Sequence, residues 1–454
     1  MVSLFNYKPN GFRKYSVHYI PNFRLAFPVV LSQAGQMVVA LADTLMVGRL
    51  GAIQLAAASL ANSIFVVGLV FGIGIVSGIT PLVGKEYGAG NRPAAGGWLK
   101  NGLLVFAILA IIQVLLLAVV VLVLPYLGQP PQVVELAIPY YLILVVSLIP
   151  FQIFIVFKQY AEGLGNTRIA MIITISANVV NILLNYIFIY GKLGFPAYGL
   201  SGAGYATLIA RLIMPLSFVW FFFTLSYFQA DRVHWKINPI KIKSAIKLIS
   251  FGVPIAGQYV AEVLAFSLGS IMMGWLGAKA LAAHQVVLSL ASFTYMVSSG
   301  FAAATTIKVS HFRGQNRPGL ARSSVFASLH QVLLFMGLSV TMFCIFRFKI
   351  PGLFVPDPEV IAIAGYLMLI AGMFQLFDGS QVVMLGALRG YEDVKIPMVV
   401  VLISYFIIAL PVSYFFAFTV NLGPAGIWIG YLIGLMSVGI TLFVRFRKLS
   451  RREL

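Results

Sequence analysis

Residues 251–285 read FGVPIAGQYVAEVLAFSLGSIMMGWLGAKALAAHQ, an apolar run long enough to cross a bilayer, with one acid, Glu262, near its middle. A counterpart lies 226 residues earlier. Pro28 matches Pro254, Met46 matches Met272, and Gly48, Leu50, Gly51 and Ala52 match Gly274, Leu276, Gly277 and Ala278. Leu55, Ala56 and Ala57 then match Leu281, Ala282 and Ala283. On this register Glu262 falls opposite Gln36, and the acid of the earlier stretch, Asp43, falls opposite Gly269. A duplicated membrane half with acids at similar depth points to transport, because repeat folds place their sites near the midplane.

The rest of the chain fits a membrane class. It is 60% hydrophobic and 9% charged, whereas soluble domains carry about 25% charged residues. Apolar runs long enough for helical spans recur throughout, and the short alternating segments of a β-barrel are absent. Twelve spans are expected, at 22–47, 53–83, 99–127, 136–157, 169–190, 200–228, 246–274, 280–307, 323–346, 359–386, 396–418 and 424–444. The first residues carry no signal-peptide h-region, so no cleavage is expected, and the lone cysteine, Cys344, excludes an internal disulfide.

The net charge of +19 is distributed by loop rather than on one face, which argues against nucleic acid as a partner. With a cytoplasmic N-terminus, 25 of the 31 lysines and arginines fall on inner segments, and Arg49, Lys192, Lys279, Arg347 and Lys349 fall outside. Arg211 alone lies well inside a span rather than at its end. The bias puts both termini in the cytoplasm. The long inner loop at 229–245 joins two halves, 1–236 and 237–454, of six spans each. Further echoes support the duplication: Asn91-Arg92-Pro93 with Asn316-Arg317-Pro318, and Phe151-Gln152-Ile153-Phe154 with Phe374-Gln375-Leu376-Phe377.

Among twelve acids, Asp43, Glu262 and Asp378 sit inside spans. A carboxylate there costs on the order of 2.5–3.5 kcal/mol, so these three are the candidate ion-coupling residues. Gln258 and Tyr259 lie one turn before Glu262, and Phe374, Gln375 and Gln381 lie one turn from Asp378. Gln36 shares the stripe of Asp43. Amide and phenol oxygens suit either a metal cation or a proton on the carboxylates. Asn178, Asn181 and Asn185 form one polar stripe on the fifth span, lining a cavity or bonding between helices, with Thr207 of the sixth span a further candidate. Arg211 either snorkels or pairs with a carboxylate. Pro28 and Pro254 interrupt the first span of each half, as hinges or as tolerated prolines; Pro81, Pro150, Pro215 and Pro411 share that feature. The five histidines show no metal-ligand spacing. The glycine-rich PLVGKEYGAGNRP (81–93) lacks the GxxxxGK[ST] phosphate loop, so no ATP site or other cofactor is expected and an ion gradient is the implied energy source.

These residues resemble the multidrug and toxic compound extrusion family, nearest its bacterial NorM-type branch. The resemblance is carried by Ala42-Asp43-Thr44-Leu45-Met46-Val47-Gly48-Arg49-Leu50-Gly51, Glu162-Gly163-Leu164-Gly165-Asn166-Thr167, Gly252-Val253-Pro254 with Glu262, and Phe374 to Asp378 with Gly386-Ala387-Leu388-Arg389-Gly390. It implies an all-α integral membrane protein of twelve transmembrane helices in two pseudo-symmetric six-helix lobes arranged as a V. It further implies a monomeric antiporter of the bacterial inner membrane, not an enzyme, that exports cationic amphipathic compounds in exchange for Na⁺ or H⁺. Glu262 and Asp378 would form the second-lobe cation site (holding Na⁺ if sodium is coupled), with Asp43, Asn181 and Asn185 in the first lobe. Some relatives carry an acid where Asn185 stands. The alternatives are a lipid-linked oligosaccharide flippase, which favours a cationic cavity where this chain has three acids against one arginine, and an ion channel, which needs no paired acids.

The orientation is tested with single cysteines at positions 192 and 236 and an impermeant label. Position 192 is expected to react from outside; preferential labelling at position 236 overturns the topology.

Overall fold

The computed structural model describes residues 13–235 and 240–453. The tail with Lys8, the 236/237 join and Lys236 lie outside the described residues. Among those described, twelve helical stretches are long and apolar enough to span a membrane. Spans 1 to 6 are Arg13–Gly48, Ala52–Gly88, Arg92–Leu122, Pro131–Gly163, Arg168–Tyr190 and Leu200–Thr224. Spans 7 to 12 are Ile242–Trp275, Ala278–Gly314, Pro318–Ile345, Pro358–Gly390, Lys395–Thr419 and Pro424–Arg452. Several outrun their apolar cores: span 1 begins at Arg13 and span 12 reaches Arg452, because hydropathy marks the part that meets lipid and not the whole helix.

The chain forms two compact units. Residues Leu31–Val260 make the N-terminal unit; the described residues up to Val30, with those from Ala261 onward, make the C-terminal unit. Span 1 thus contributes its first turns to the C-terminal unit, and span 7 contributes its first turns to the N-terminal one. Two equivalent close contacts hold these segments. A Cβ on Gly74 would stand 2.5 Å from Ala256 Cα, and one on Gly300 would stand 2.4 Å from Val30 Cγ2. Both pairs are 226 residues apart in the sequence register, and small residues let membrane helices approach this closely.

Each unit also repeats a side-chain bond. Thr80 Oγ1 donates to Gln159 O at 3.0 Å, and Thr306 Oγ1 donates to Gly386 O at 2.8 Å. This sets the offset at 226 for spans 2 and 8 and at 227 for spans 4 and 10. Two of the sequence echoes are therefore out of structural register. Phe151 stands opposite Asp378, one helical turn from the Phe374 with which the sequence pairs it. Span 3 begins at Arg92 and span 9 at Pro318, so Asn316 takes the place of Gly90, not of Asn91. Both adopt positive φ, 54° and 76°, the conformation that glycine and asparagine tolerate best.

Proline acts elsewhere than at Pro28 and Pro254. Spans 1 and 7 run unbroken through both residues. Span 2 instead breaks after Val76 and resumes at Ile79, and span 4 breaks at Ser147. These breaks lie three to four residues before Pro81 and Pro150, whose rings clash with the carbonyl four residues back and supply no N–H to it. Ser77 Oγ donates to Ile73 O at 2.8 Å and Ser147 Oγ to Leu144 O at 2.6 Å, which satisfies carbonyls beside each break. Ile307 and Phe377 occupy the corresponding places in the C-terminal unit, and spans 8 and 10 continue unbroken.

Large aromatics fill both interiors: Phe106, Phe154, Tyr160 and Phe218 in one unit, Trp428, Tyr405, Tyr431 and Phe446 in the other. Ion pairs tie helix ends together. Arg92 meets buried Asp231 at 2.8 Å, where Tyr160 also donates, and Arg313 meets Glu453 at 2.9 Å. At Tyr227, beside the first pair, burial pushes the phenol above its ordinary range.

The tightest of the backbone approaches gives a test. A Cβ at Gly252 would lie 2.0 Å from Ile75 O, while one at Gly274 would meet nothing within 4 Å. Gly252→Ala is expected to lose about 1–3 kcal/mol to overpacking, seen as a lower melting temperature in detergent. Gly274→Ala is expected to melt at or above the wild-type temperature.

Candidate functional site

The three intramembrane acids lie in two polar clusters, one in each unit. In the N-terminal unit, Asp43 of span 1 is half-buried and accepts from Asn185 Nδ2 at 2.5 Å. The same amide lies 3.0 Å from Asn181 Oδ1, one turn back along span 5, and Asn181 Nδ2 donates to Thr207 Oγ1 of span 6 at 3.4 Å. Four of the candidate residues thus form one ladder across three spans. Helical spacing explains it: Asn181 and Asn185 at i and i+4 present stacked amides on one face. Asn185 Oδ1 remains buried without a partner.

Two other candidates stand apart from this ladder. Asn178 is half-buried, with its Nδ2 packed against Gly35 and unpartnered. Gln36 is exposed. Arg211, one turn along span 6 from Thr207, forms no close ion pair with a carboxylate among the described residues. Its Nη1 donates to Ser147 Oγ at the break in span 4, at 2.7 Å, and its guanidinium stacks between Phe65 and Phe151 at 5.2 and 4.9 Å. Cation–π contact on both faces helps hold a charge in such surroundings.

In the C-terminal unit, Glu262 of span 7 is half-buried and Asp378 of span 10 is 4% exposed. Among the described residues neither is paired with a lysine or arginine. Tyr405 of span 11 links their two helices: its hydroxyl donates to Glu262 Oε1 and accepts from Gln381 Nε2, both at 3.3 Å. Gln381 is one turn from Asp378. Phe266, one turn from Glu262, meets Phe374, one turn from Asp378, with ring centroids 6.2 Å apart. Gln381 Oε1 and both amide atoms of Gln375 are buried without partners, leaving neutral oxygens near Asp378 free to receive a ligand. Gln258 is buried and Tyr259 half-buried, but both fall in the part of span 7 that belongs to the N-terminal unit.

Tyr405 is the residue that sequence reasoning missed. It stands in a uniformly apolar run (VLISYFIIALP, residues 401–411) with no period to mark it; its only signal is a phenol in a span. His284, one of the five histidines without metal-ligand spacing, is fully buried with Nε2 3.0 Å from Ser270 Oγ and its ring against Trp428. Among the described residues no group of three or more His, Cys, Asp or Glu is placed to hold a metal ion.

Comparison with known proteins agrees with this architecture. The family model MatE matches the chain twice, over residues 28–187 and 254–415. Those starts are 226 residues apart, the offset of the internal repeat. The probable multidrug resistance protein NorM of Mannheimia succiniciproducens is 32% identical, over 94% of this chain and 93% of its own. A solved MATE transporter of Vibrio cholerae superposes with a TM-score of 0.86 at 19% identity, covering 97% of this chain and 98% of that one. A transporter of the MOP superfamily from Pyrococcus furiosus, described as having a binding pocket of reversed polarity, superposes with a TM-score of 0.87 at 20% identity over 98% and 99%. The chain is a multi-pass membrane protein and belongs to the MATE family of transporters, with NorM-type multidrug resistance proteins among its relatives.

Proposed function

We propose that this transporter is an antiporter of the bacterial inner membrane, with both termini in the cytoplasm, that exports cationic amphipathic compounds in exchange for Na⁺ or H⁺. One observation carries the reading. Two carboxylates stand on spans 7 and 10 of one unit without a cationic side chain paired to either. Around them are a phenol and two buried amides. Ionised together in a low-dielectric interior, such carboxylates repel, which raises their affinity for a cation or a proton. Arrival of the ion relieves the repulsion and favours one arrangement of the unit; loss of the ion favours the other.

Sodium is favoured, because Glu262, Asp378 and the orphaned oxygens of Gln375 and Gln381 can supply a shell of oxygen ligands. A cationic substrate whose binding depends on the ion-free arrangement is displaced when the ion binds, which links ion influx to export without ATP. The ladder of Asp43, Asn185, Asn181 and Thr207 serves the first lobe, where a single carboxylate attracts the positive charge of the substrate. The monomer is taken as the working unit.

The reading is tested by drug flux in proteoliposomes under separately imposed Na⁺ and H⁺ gradients. Uphill flux under one of them is expected; mere collapse of the gradient overturns antiport. Glu262→Gln and Asp378→Asn are each expected to abolish ion-driven efflux, and the double variant to be hardly worse than either. Multiplicative losses would mean that the two acids do not act as one site.

In the first lobe, Asp43→Asn is expected to lower efflux by about tenfold, the worth of one bond to a charged group. Asn181→Ala should lower it less, because Asp43 keeps Asn185. Wild-type resistance in cells carrying Asp43→Asn at equal expression would leave Asp43 a packing role alone.

A further inference from the structure

Span 11 is the least regular helix of the C-terminal unit. Ile403–Ala409 and Phe415–Thr419 are wound as π-helix on either side of the short α-helical Leu410–Tyr414. The Leu410 N–H bonds the carbonyl of Tyr405, and the Val420 N–H bonds that of Phe415, each five residues back. Pro411 accounts for the first widening, since it offers no N–H to the carbonyl of Ile407. Turns of this kind are rare and gather at functional sites.

Tyr405 is the residue whose carbonyl closes the first π turn, and its side chain is fully buried. The same residue therefore has two ties: its hydroxyl to Glu262, and its backbone to the irregular register of span 11. The ring is seated against Phe266 at 6.1 Å, so the hydroxyl is aimed at Glu262 by packing as well as by its bond to Gln381. A phenol gives one proton to one acceptor. An ionised, ion-free Glu262 is the stronger acceptor, and charge-assisted bonds are about twice as strong as neutral ones. When an ion neutralises Glu262, the bond from Tyr405 weakens.

We infer that Tyr405 is a positioning residue for the ion-coupling carboxylate Glu262, and that the π turn it closes carries the occupancy of that carboxylate into span 11. The inference rests on the coupling role proposed above for Glu262. It follows from the difference between the two states: only an interaction stronger in one state than in the other shifts an equilibrium. The Tyr405 bond favours the ion-free carboxylate and thereby opposes the ion. It holds the π turn in its present register while Glu262 is empty and frees that turn to shift along span 11 when the ion arrives.

The sign of the effect separates this role from simple packing. Tyr405→Phe keeps the ring and removes the hydroxyl. In proteoliposomes, with the driving ion varied at fixed drug, the half-saturating ion concentration is expected to fall about tenfold, the worth of one hydrogen bond to a charged group. Maximal flux should fall as well, because the ion leaves more slowly, while the half-saturating drug concentration should stay within about twofold. Hydrogen exchange of the amides at 403–410 should change on ion addition in the wild type and not in Tyr405→Phe.

An unchanged or increased half-saturating ion concentration in Tyr405→Phe overturns the inference. So does ion-independent exchange at 403–410 in the wild type. Glu262→Gln, run in parallel, keeps the two proposals apart. If it still exports under the gradient, the coupling role fails; if it is inactive while Tyr405→Phe matches the wild type, only the role of Tyr405 fails.

Discussion

A bilayer offers no hydrogen-bond partners, so every polar group carried into it must be satisfied inside the protein. That constraint organises this chain. The backbone meets it by being helical almost everywhere. Polar side chains meet it by bonding to carbonyls of their own or neighbouring helices, as Thr80 and Thr306 do at equivalent places in the two units. Where the rule is relaxed, chemistry collects. The intramembrane acids, the unpartnered amide of Gln375, the unpartnered Oε1 of Gln381 and the guanidinium of Arg211 all lie at such points.

The duplicated halves relax the rule differently. In the N-terminal unit Pro81 and Pro150 break spans 2 and 4, and serines at the breaks bond carbonyls of the preceding turn. Arg211 is attached to one of these breaks through Ser147. In the C-terminal unit the helices at the corresponding places are continuous, and the irregularity moves to the π segments of span 11 beside Tyr405. A shared architecture thus carries two unlike polar clusters. One holds a single acid among asparagines, the other two acids with a tyrosine that bonds Glu262 and Gln381.

Much of this was legible in the sequence, because the strongest signals in a membrane protein are strong for physical reasons. Apolar length fixes the spans, and the repeat offset of 226 recurs in contacts at Gly74 and Gly300. Helical spacing brings Asn181 and Asn185 onto the ladder that reaches Asp43 and Thr207. Four matters escaped. The echoes at Phe374 and Asn316 matched local composition while lying out of structural register, since short motifs tolerate slips that packing does not. The effect of each proline depends on whether neighbours can absorb the lost bond, and that is a tertiary property. Tyr405 was hidden because an apolar span has no periodicity to single out one phenol. The sorting of Gln258 and Tyr259 with one unit and Glu262 with the other also escaped, because spacing along a helix does not say which body each turn joins.

The exchange of leading helix segments has a consequence for the making of the protein. Asn22, fully buried, donates to Ser324 O at 3.0 Å and to Ser328 Oγ at 2.8 Å, partners 302 and 306 residues further on. At a ribosome speed of about 5–20 residues per second, those partners emerge roughly 15–60 s after Asn22 itself. Through that interval Asn22 lacks its native partners, although the turns that span 7 lends the N-terminal unit are already made. The C-terminal unit therefore cannot close as a finished body until long after the contiguous stretch Leu31–Val260 of the N-terminal unit has been made. The chain must hold its earliest helix in waiting, half seated, until nearly three-quarters of its length has been translated.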